Sequence, residues 1–302
     1  MHGLIIAFFV VLAGAVATTA IAEQSVPGDF LYPLKVSVNE PMLNAGAFTD
    51  EANAAWAIRQ MERRFEEAEH SALGSGLTAE IGAELTARIR TDLENSAAYI
   101  ARTAHTDPYT AAQFQSRVEA LLAVHGTILS AVIEEIEDEE QKEQARMIHA
   151  TLAQAISEQD AVRRGIVAQV AEHTKADGLT GAETARTAGN NLAQRLRQVR
   201  GSLNRFSYSL DPGTIAAIDD EIAQAGSFHA QGRTQMLTGS TTEAFASFHT
   251  GLRHIQFAHE LLLLAQRGMR IEPHATKAMK KQDDASVSGT DPLLLDLGTR
   301  TL

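Results

Sequence analysis

The chain of 302 residues contains no cysteine, so a disulfide framework, a thiolate zinc site, an iron–sulfur cluster and a cysteine nucleophile are all excluded. Its 21 Gly and 7 Pro follow no short period, which excludes a collagen-like or low-complexity chain. Basic residues are the minority, 26 Lys+Arg against 38 Asp+Glu for a formal charge of −12. That balance argues against a nucleic-acid partner, because phosphate binding is driven by clustered Lys and Arg that release counterions. Catalytic signatures are missing too: there is no G-x-S-x-G, no Gly-rich phosphate loop with its Lys, and no S-x-x-K with companion motifs. What is present, 44% hydrophobic residues with few aromatics, is the composition of a globular body.

Residues 3–22, GLIIAFFVVLAGAVATTAIA, carry no charge. Ala20-Ile21-Ala22 ahead of Glu23 suits signal peptidase, with cleavage after Ala22, and the same length suffices to span a bilayer. The segment is expected to be a signal peptide or a membrane anchor. Only Met1 and His2 precede the apolar run and the first basic residue is Lys35, so a basic n-region would have to lie upstream of Met1. Either reading places residues 23 onward outside the cytoplasm.

After residue 49 the pattern is helical: Ala-rich stretches with apolar residues three and four apart, and no alternating β-branched run. Gly74-Ser75-Gly76 and Asp177-Gly178 stop helices, and Thr78 and Thr180 are placed to cap the next ones. Asp107-Pro108 and Asp211-Pro212 pair an N-cap acceptor with a proline at the first helical position, and Ser240-Thr241-Thr242-Glu243 has capping-box spacing. These signals predict helices near 50–73, 79–106, 108–136, 138–176, 181–209, 213–238 and 241–267. The expected fold is all-α, an elongated antiparallel bundle of about six to seven helices after an N-terminal apolar helix. Its expected parts are 1–22 (targeting), 23–49 (connecting), 50–136 and 137–270 (two helical halves) and 271–302 (flexible tail).

The halves echo each other at offsets of 102 to 104: Ala68-Glu69-His70 and Ala171-Glu172-His173, Gly76-Leu77-Thr78 and Gly178-Leu179-Thr180, Asp107-Pro108 and Asp211-Pro212. This is the pattern of a duplicated helical hairpin. Charge is uneven as well. Residues 134–143, EEIEDEEQKE, carry a net −6, whereas 185–210 hold Arg186, Arg195, Arg197, Arg200 and Arg205 and no acid. Complementarity with acidic helices and solvation explains that basic helix better than an anionic partner does.

The most distinctive stretch is Ser25-Val26-Pro27-Gly28-Asp29-Phe30-Leu31-Tyr32-Pro33-Leu34-Lys35, followed by Val38-Asn39-Glu40-Pro41. Pro27-Gly28-Asp29 favours a turn, and Pro33 biases Tyr32 toward an extended conformation before a helix begins. Phe30, Leu31, Tyr32 and Leu34 are expected to pack on the bundle, and Asp29 and Lys35 to pair or cap. With Ala47-Phe48-Thr49, Trp56 and Glu62-Arg63-Arg64-x-Glu66-Glu67-Ala68-Glu69, the stretch resembles an uncharacterised family of bacterial envelope proteins. In that family a signal or membrane segment runs into a P-G-D-x-L-Y-P-x-K motif and an Ala/Glu-rich bundle. The resemblance covers about residues 25–130 and implies location and fold, with no activity to carry over. The motif residues Pro27, Gly28, Asp29, Leu31, Tyr32, Pro33, Lys35, Asn39, Glu40 and Pro41 are expected to be structural or partner-binding.

Eleven His residues raise a metal or haem alternative. Glu67-x-x-His70 has di-metal spacing, but the second copy is missing because Val170 stands where its Glu would. His249, His254 and His259 are spaced by five and turn about 140° apart on a helix. Glu119 and Glu221 read as solvated helix positions, and Trp56 and the Met residues as core. The sequence therefore points to a non-enzymatic, extracytoplasmic protein-interaction or scaffold module with an envelope protein as partner, needing no cofactor. The competing readings are a haem- or metal-binding bundle and the extracytoplasmic part of an envelope regulator.

Overall fold

Caps set the element boundaries. Thr49, Thr78, Asp107 and Asp211 each accept a hydrogen bond from the backbone N–H three residues on, at 3.1, 3.3, 3.0 and 3.0 Å, satisfying a donor that the first turn leaves unpaired. The two Asp caps are alike in a further bond: Thr110 and Thr214 hydroxyls donate to the second oxygens of Asp107 and Asp211. In the computed structural model, which describes residues 25–44, 46–74, 76–176 and 178–266, seven long helices follow. They are α1 (Asp50–Leu73), α2 (Ala79–Thr106), α3 (Pro108–Glu135), α4 (Glu139–Ala176), α5 (Gly178–Phe206), α6 (Pro212–Leu237) and α7 (Thr241–Gln266). No strand occurs among the described residues, so the fold is all-α. The apolar segment 1–22, with the cleavage position after Ala22, and the tail 271–302 lie outside the described residues.

Boundaries agree with the sequence signals except at α5. It begins at Gly178, so Thr180 lies inside its first turn instead of capping it, and it closes through a 3₁₀ turn at Ser207–Ser209. The connecting segment is also more ordered than expected. Tyr32–Leu34 forms an α-turn, Lys35–Asn39 a π-turn and Glu40–Asn44 a further α-turn, together termed the motif helix. The wider π-turn sits where Pro41, lacking an N–H, cannot bond the carbonyl four residues back, and the Glu40 N–H reaches Lys35 O instead.

The described residues divide into two compact units. The first contains the motif helix, α1, α2, the start of α3 to Phe114, and 128–155; the second contains 115–127 and everything from Ile156 on. Packing thus divides α3 and α4 along their lengths. In the first unit Ile58, Met61, Phe65, Leu85 and Ile89 form the core. In the second, α7 is buried on every side, from Ala244 and Phe245 to Leu264. It can approach its neighbours because a Cβ at Gly189 of α5 or Gly232 of α6 would meet the Phe248 ring at 2.8 or 2.5 Å.

One described helix, α3, is long and apolar enough to cross a membrane by length and composition; 67% of its most apolar window is buried inside the protein. That burial is what the core helix of a bundle requires.

Candidate functional site

The motif opens on a turn of the expected kind. Asp29 N–H donates to Val26 O at 3.0 Å, and Gly28 takes a φ of 97°, the value position three of a type II turn demands. Asp29 Oδ2 accepts the Val26 N–H at 2.9 Å, closing the turn from both sides. Asp29 therefore does not pair with Lys35. Tyr32 is not extended either: Pro33 occupies the first turn of the motif helix, where its missing N–H costs nothing. What overrides the pre-proline bias is the anchoring of the Tyr32 hydroxyl.

That anchor is a buried ion cluster on α1. The Tyr32 hydroxyl donates to Glu67 Oε2 at 3.0 Å, and Lys35 Nζ donates to Glu67 Oε1 at 2.6 Å and to Ser25 O at 3.0 Å. Arg64 Nη1 lies 2.8 Å from both oxygens of Glu67, and Arg64 Nη2 donates to Glu40. Lys35, Glu40, Arg64 and Glu67 are all buried. Lys35 and Glu40, the charged groups of the motif that enter the protein, thus each meet an opposite charge, which is the condition for burying charges at all. Burial, reinforced by the charge of Glu67, holds the Tyr32 phenol above its ordinary pKa, so it stays a donor at any physiological pH.

Asp92 of α2 is the exception. Arg64 Nε is 4.0 Å away, beyond hydrogen-bond range, because the rest of the guanidinium is committed to Glu67 and Glu40. Burial, with the Glu40 and Glu67 charges adding to it against Arg64 and Arg88, pushes the Asp92 carboxyl up to about 7. Asp92 lies on a cleft of about 290 Å³ whose other walls include Glu40, Pro41, Trp56, Gln60, Arg88 and Tyr99. Arg88 is held by Glu84, with Nη2 at 2.7 Å and Nε at 2.9 Å from the same oxygen.

Several expected roles change. Phe30 does not pack on the bundle but is 95% exposed, because the turn and Tyr32 point the chain's other groups inward. Trp56 is half-buried rather than core, its ring lying under the Arg59 and Arg63 guanidiniums at 5.3 and 5.9 Å. Of the methionines, Met61 is in the core, whereas Met42 and Met147 are exposed. Arg186, Arg197, Arg200 and Arg205 are exposed and make no ion pair among the described residues, so solvation rather than pairing accommodates them.

The largest departure is Glu119 and Glu221, which are buried, not solvated. Glu119 Oε1 is 3.5 Å from Arg163 and Oε2 is 3.6 Å from Arg253, while Gln115 Nε2 bridges Glu119 at 3.2 Å and Gln159 at 2.7 Å. Glu221 Oε2 lies 2.7 Å from His254 Nδ1, and the His254 ring stacks on Phe228 with centroids 5.4 Å apart. The sequence held a signal for Glu221, which Ala217, Ile218 and Ala225 flank at helical spacing, whereas Gln115 and Ser116, one turn before Glu119, blur its own.

Among the described residues the histidines form no metal-holding group. His70 is exposed while Glu67 is turned into the ion cluster, and His254 is held by Glu221. Burial first, then Arg195 and Arg117, depress the pKa of His259, and burial with Arg233 depresses that of His229. No group of three metal-ligating side chains converges among the described residues. The acidic run at 134–143 joins the end of α3 to the start of α4 with its acids exposed, and Asp138 accepts the Gln141 N–H at 2.8 Å.

Compared with known proteins, the chain matches no protein-family profile, no curated protein and no solved structure.

Proposed function

We propose that this chain is a non-enzymatic helical interaction module of the bacterial cell envelope, and that residues 25–48 are its docking element for an envelope protein. The observation that carries this reading is a division of labour within that segment. Tyr32, Lys35 and Glu40 face inward onto Arg64 and Glu67, whereas Phe30, Val38, Met42 and Phe48 are exposed. Val38 and Met42, four apart, share one face of the motif helix. Large apolar side chains held outward by a rigid buried anchor suit the capture of an apolar partner surface, because little conformational freedom remains to be lost on binding. The apolar segment 1–22, as signal peptide or membrane anchor, would deliver the element to the extracytoplasmic side, and the resemblance to the envelope family supports the same location.

The test is site-specific photocrosslinking from position 30 or 42 in intact cells, followed by mass spectrometry that also reads the mature N-terminus. One envelope protein should crosslink from both positions and be lost in Phe30→Ser/Met42→Ser/Phe48→Ser, whose melting temperature stays that of the parent. Adducts to lipid alone, or capture unaffected by the triple substitution, would reject the docking role.

A further inference from the structure

The charges gathered around Arg64 do not balance. Glu40, Glu67 and Asp92 face Lys35 and Arg64, while Arg88 is already held by Glu84. The surplus negative charge falls on Asp92, whose side chain is 18% exposed and has no hydrogen-bond donor among the described residues. A second acceptor stands in the same cleft: Gln60 lines it, the residue is 6% exposed, and its Oε1 is buried with no hydrogen-bond partner. A buried acceptor without a donor is costly, and Gln60 Oε1 shares this small cleft with a carboxylate that Arg64 Nε, 4.0 Å away, does not reach. The walls add Pro41, the Trp56 indole and the Tyr99 ring, with room of about 290 Å³ for a small group.

We propose that this cleft binds an alkylammonium group, with the Asp92 carboxylate and Gln60 Oε1 accepting its N–H bonds. A primary ammonium supplies three donors and the one positive charge that the cluster lacks. An anion would meet Asp92 and Glu40, and a neutral apolar group would leave both acceptors unpaired. The site is independent of the docking surface formed by Phe30, Met42 and Phe48, so it stands whether or not that reading holds. The ammonium can come from a free amine or from a lysine presented by a protein, and the two are separable by experiment.

The groups facing Asp92 are Arg64 and Glu67 from α1, Arg88 from its own helix and Glu40 from the motif helix. Protonation of Asp92 would remove the counter-charge, so affinity is expected to fall about tenfold per pH unit below about 7.

Trp56 is the single tryptophan of the chain and lines the cleft, so its emission reports directly on the full-length protein. At pH 8, ethylammonium chloride should change that emission with saturation in the millimolar range, while sodium chloride at matched ionic strength and tetramethylammonium, which has no N–H, should not. Asp92→Asn should weaken binding at least tenfold and Gln60→Met about threefold, both with unchanged far-ultraviolet dichroism. Binding at pH 7 should release protons into weakly buffered solution, and Asp92→Asn should abolish that release. Nα-acetyl-lysine amide binding more than tenfold tighter than ethylammonium would identify a protein lysine as the source; equal or weaker binding would identify a free amine. No saturable response to ethylammonium at pH 8, an equal response to tetramethylammonium, or an unchanged affinity in folded Asp92→Asn would overturn the proposal.

Discussion

The two units bury charge in different ways. In the first, one guanidinium organises the cluster: Arg64 binds Glu67 and Glu40 at once, and the motif helix is attached to α1 through it. In the second, the charges are dispersed over packed helices, with Glu119 between Arg163 and Arg253 and Glu221 on His254. In the first, Glu67 shares two cations but Glu40 depends on Arg64 alone among the described residues, and one acid is left over. The second is redundant, since Glu119 keeps one cation if it loses the other. A buried charge is therefore tied to local chain order in one unit and to helix-on-helix register in the other.

That difference can be broken experimentally. Arg64→Met should cost the most, about 3–5 kcal/mol, because it strands Glu40 in the interior and leaves Glu67 to Lys35 alone among the cations; thermal unfolding measures it. Arg253→Met should cost less, about 2 kcal/mol, as Arg163 still faces Glu119. Equal losses would show that the second unit has no redundancy.

Asp92→Asn sharpens the comparison through pH. A carboxyl whose folded pKa of about 7 exceeds the ordinary value of 3.8 binds its proton more tightly when folded. Its contribution to stability is thus full below about pH 4 and is lost as pH rises to about 7. The variant should gain on the order of 2 kcal/mol over the parent at pH 8 and almost nothing at pH 4. A parent whose melting temperature rises between pH 4 and 7 by as much as the variant's would refute the assignment.

Smaller effects test the anchor. Tyr32→Phe removes one hydrogen bond to Glu67 and should cost about 1–1.5 kcal/mol by chemical denaturation. Phe30→Ser, at a side chain that is 95% exposed, should shift stability by less than about 0.5 kcal/mol.

Local chemistry was largely legible in the sequence. The Thr49, Thr78, Asp107 and Asp211 caps act over three residues, so α1, α2, α3 and α6 could be drawn within a residue of their observed limits. The turn at Pro27-Gly28 was readable for the same reason. That the helix at 32–44 takes in Tyr32 and runs on through Pro41 was not, because the prolines argue against both locally and what stabilises it, Glu67 and Arg64, lies some thirty residues on. Glu221 could be marked as an acid inside an apolar stripe, but neither its partner nor that of Glu119 could be named. That Arg253 faces Glu119 follows from which helices pack, and spacing along one helix carries no such information. Asp92 is illegible for a further reason: its character comes from a count of neighbouring charges.

The division of α3 and α4 between the units has a consequence for anyone wishing to isolate either. The chain passes from one unit to the other after Phe114, back after Thr127 and out again after Ala155. No single cut therefore releases an intact body. A fragment ending at the loop after Glu135 would carry only part of the first unit, and its complement would lack residues 115–127, with Glu119 among them. Recombination, truncation or domain grafting at the obvious loop would separate partners that fold together, so these helices behave as one heritable piece despite their two cores.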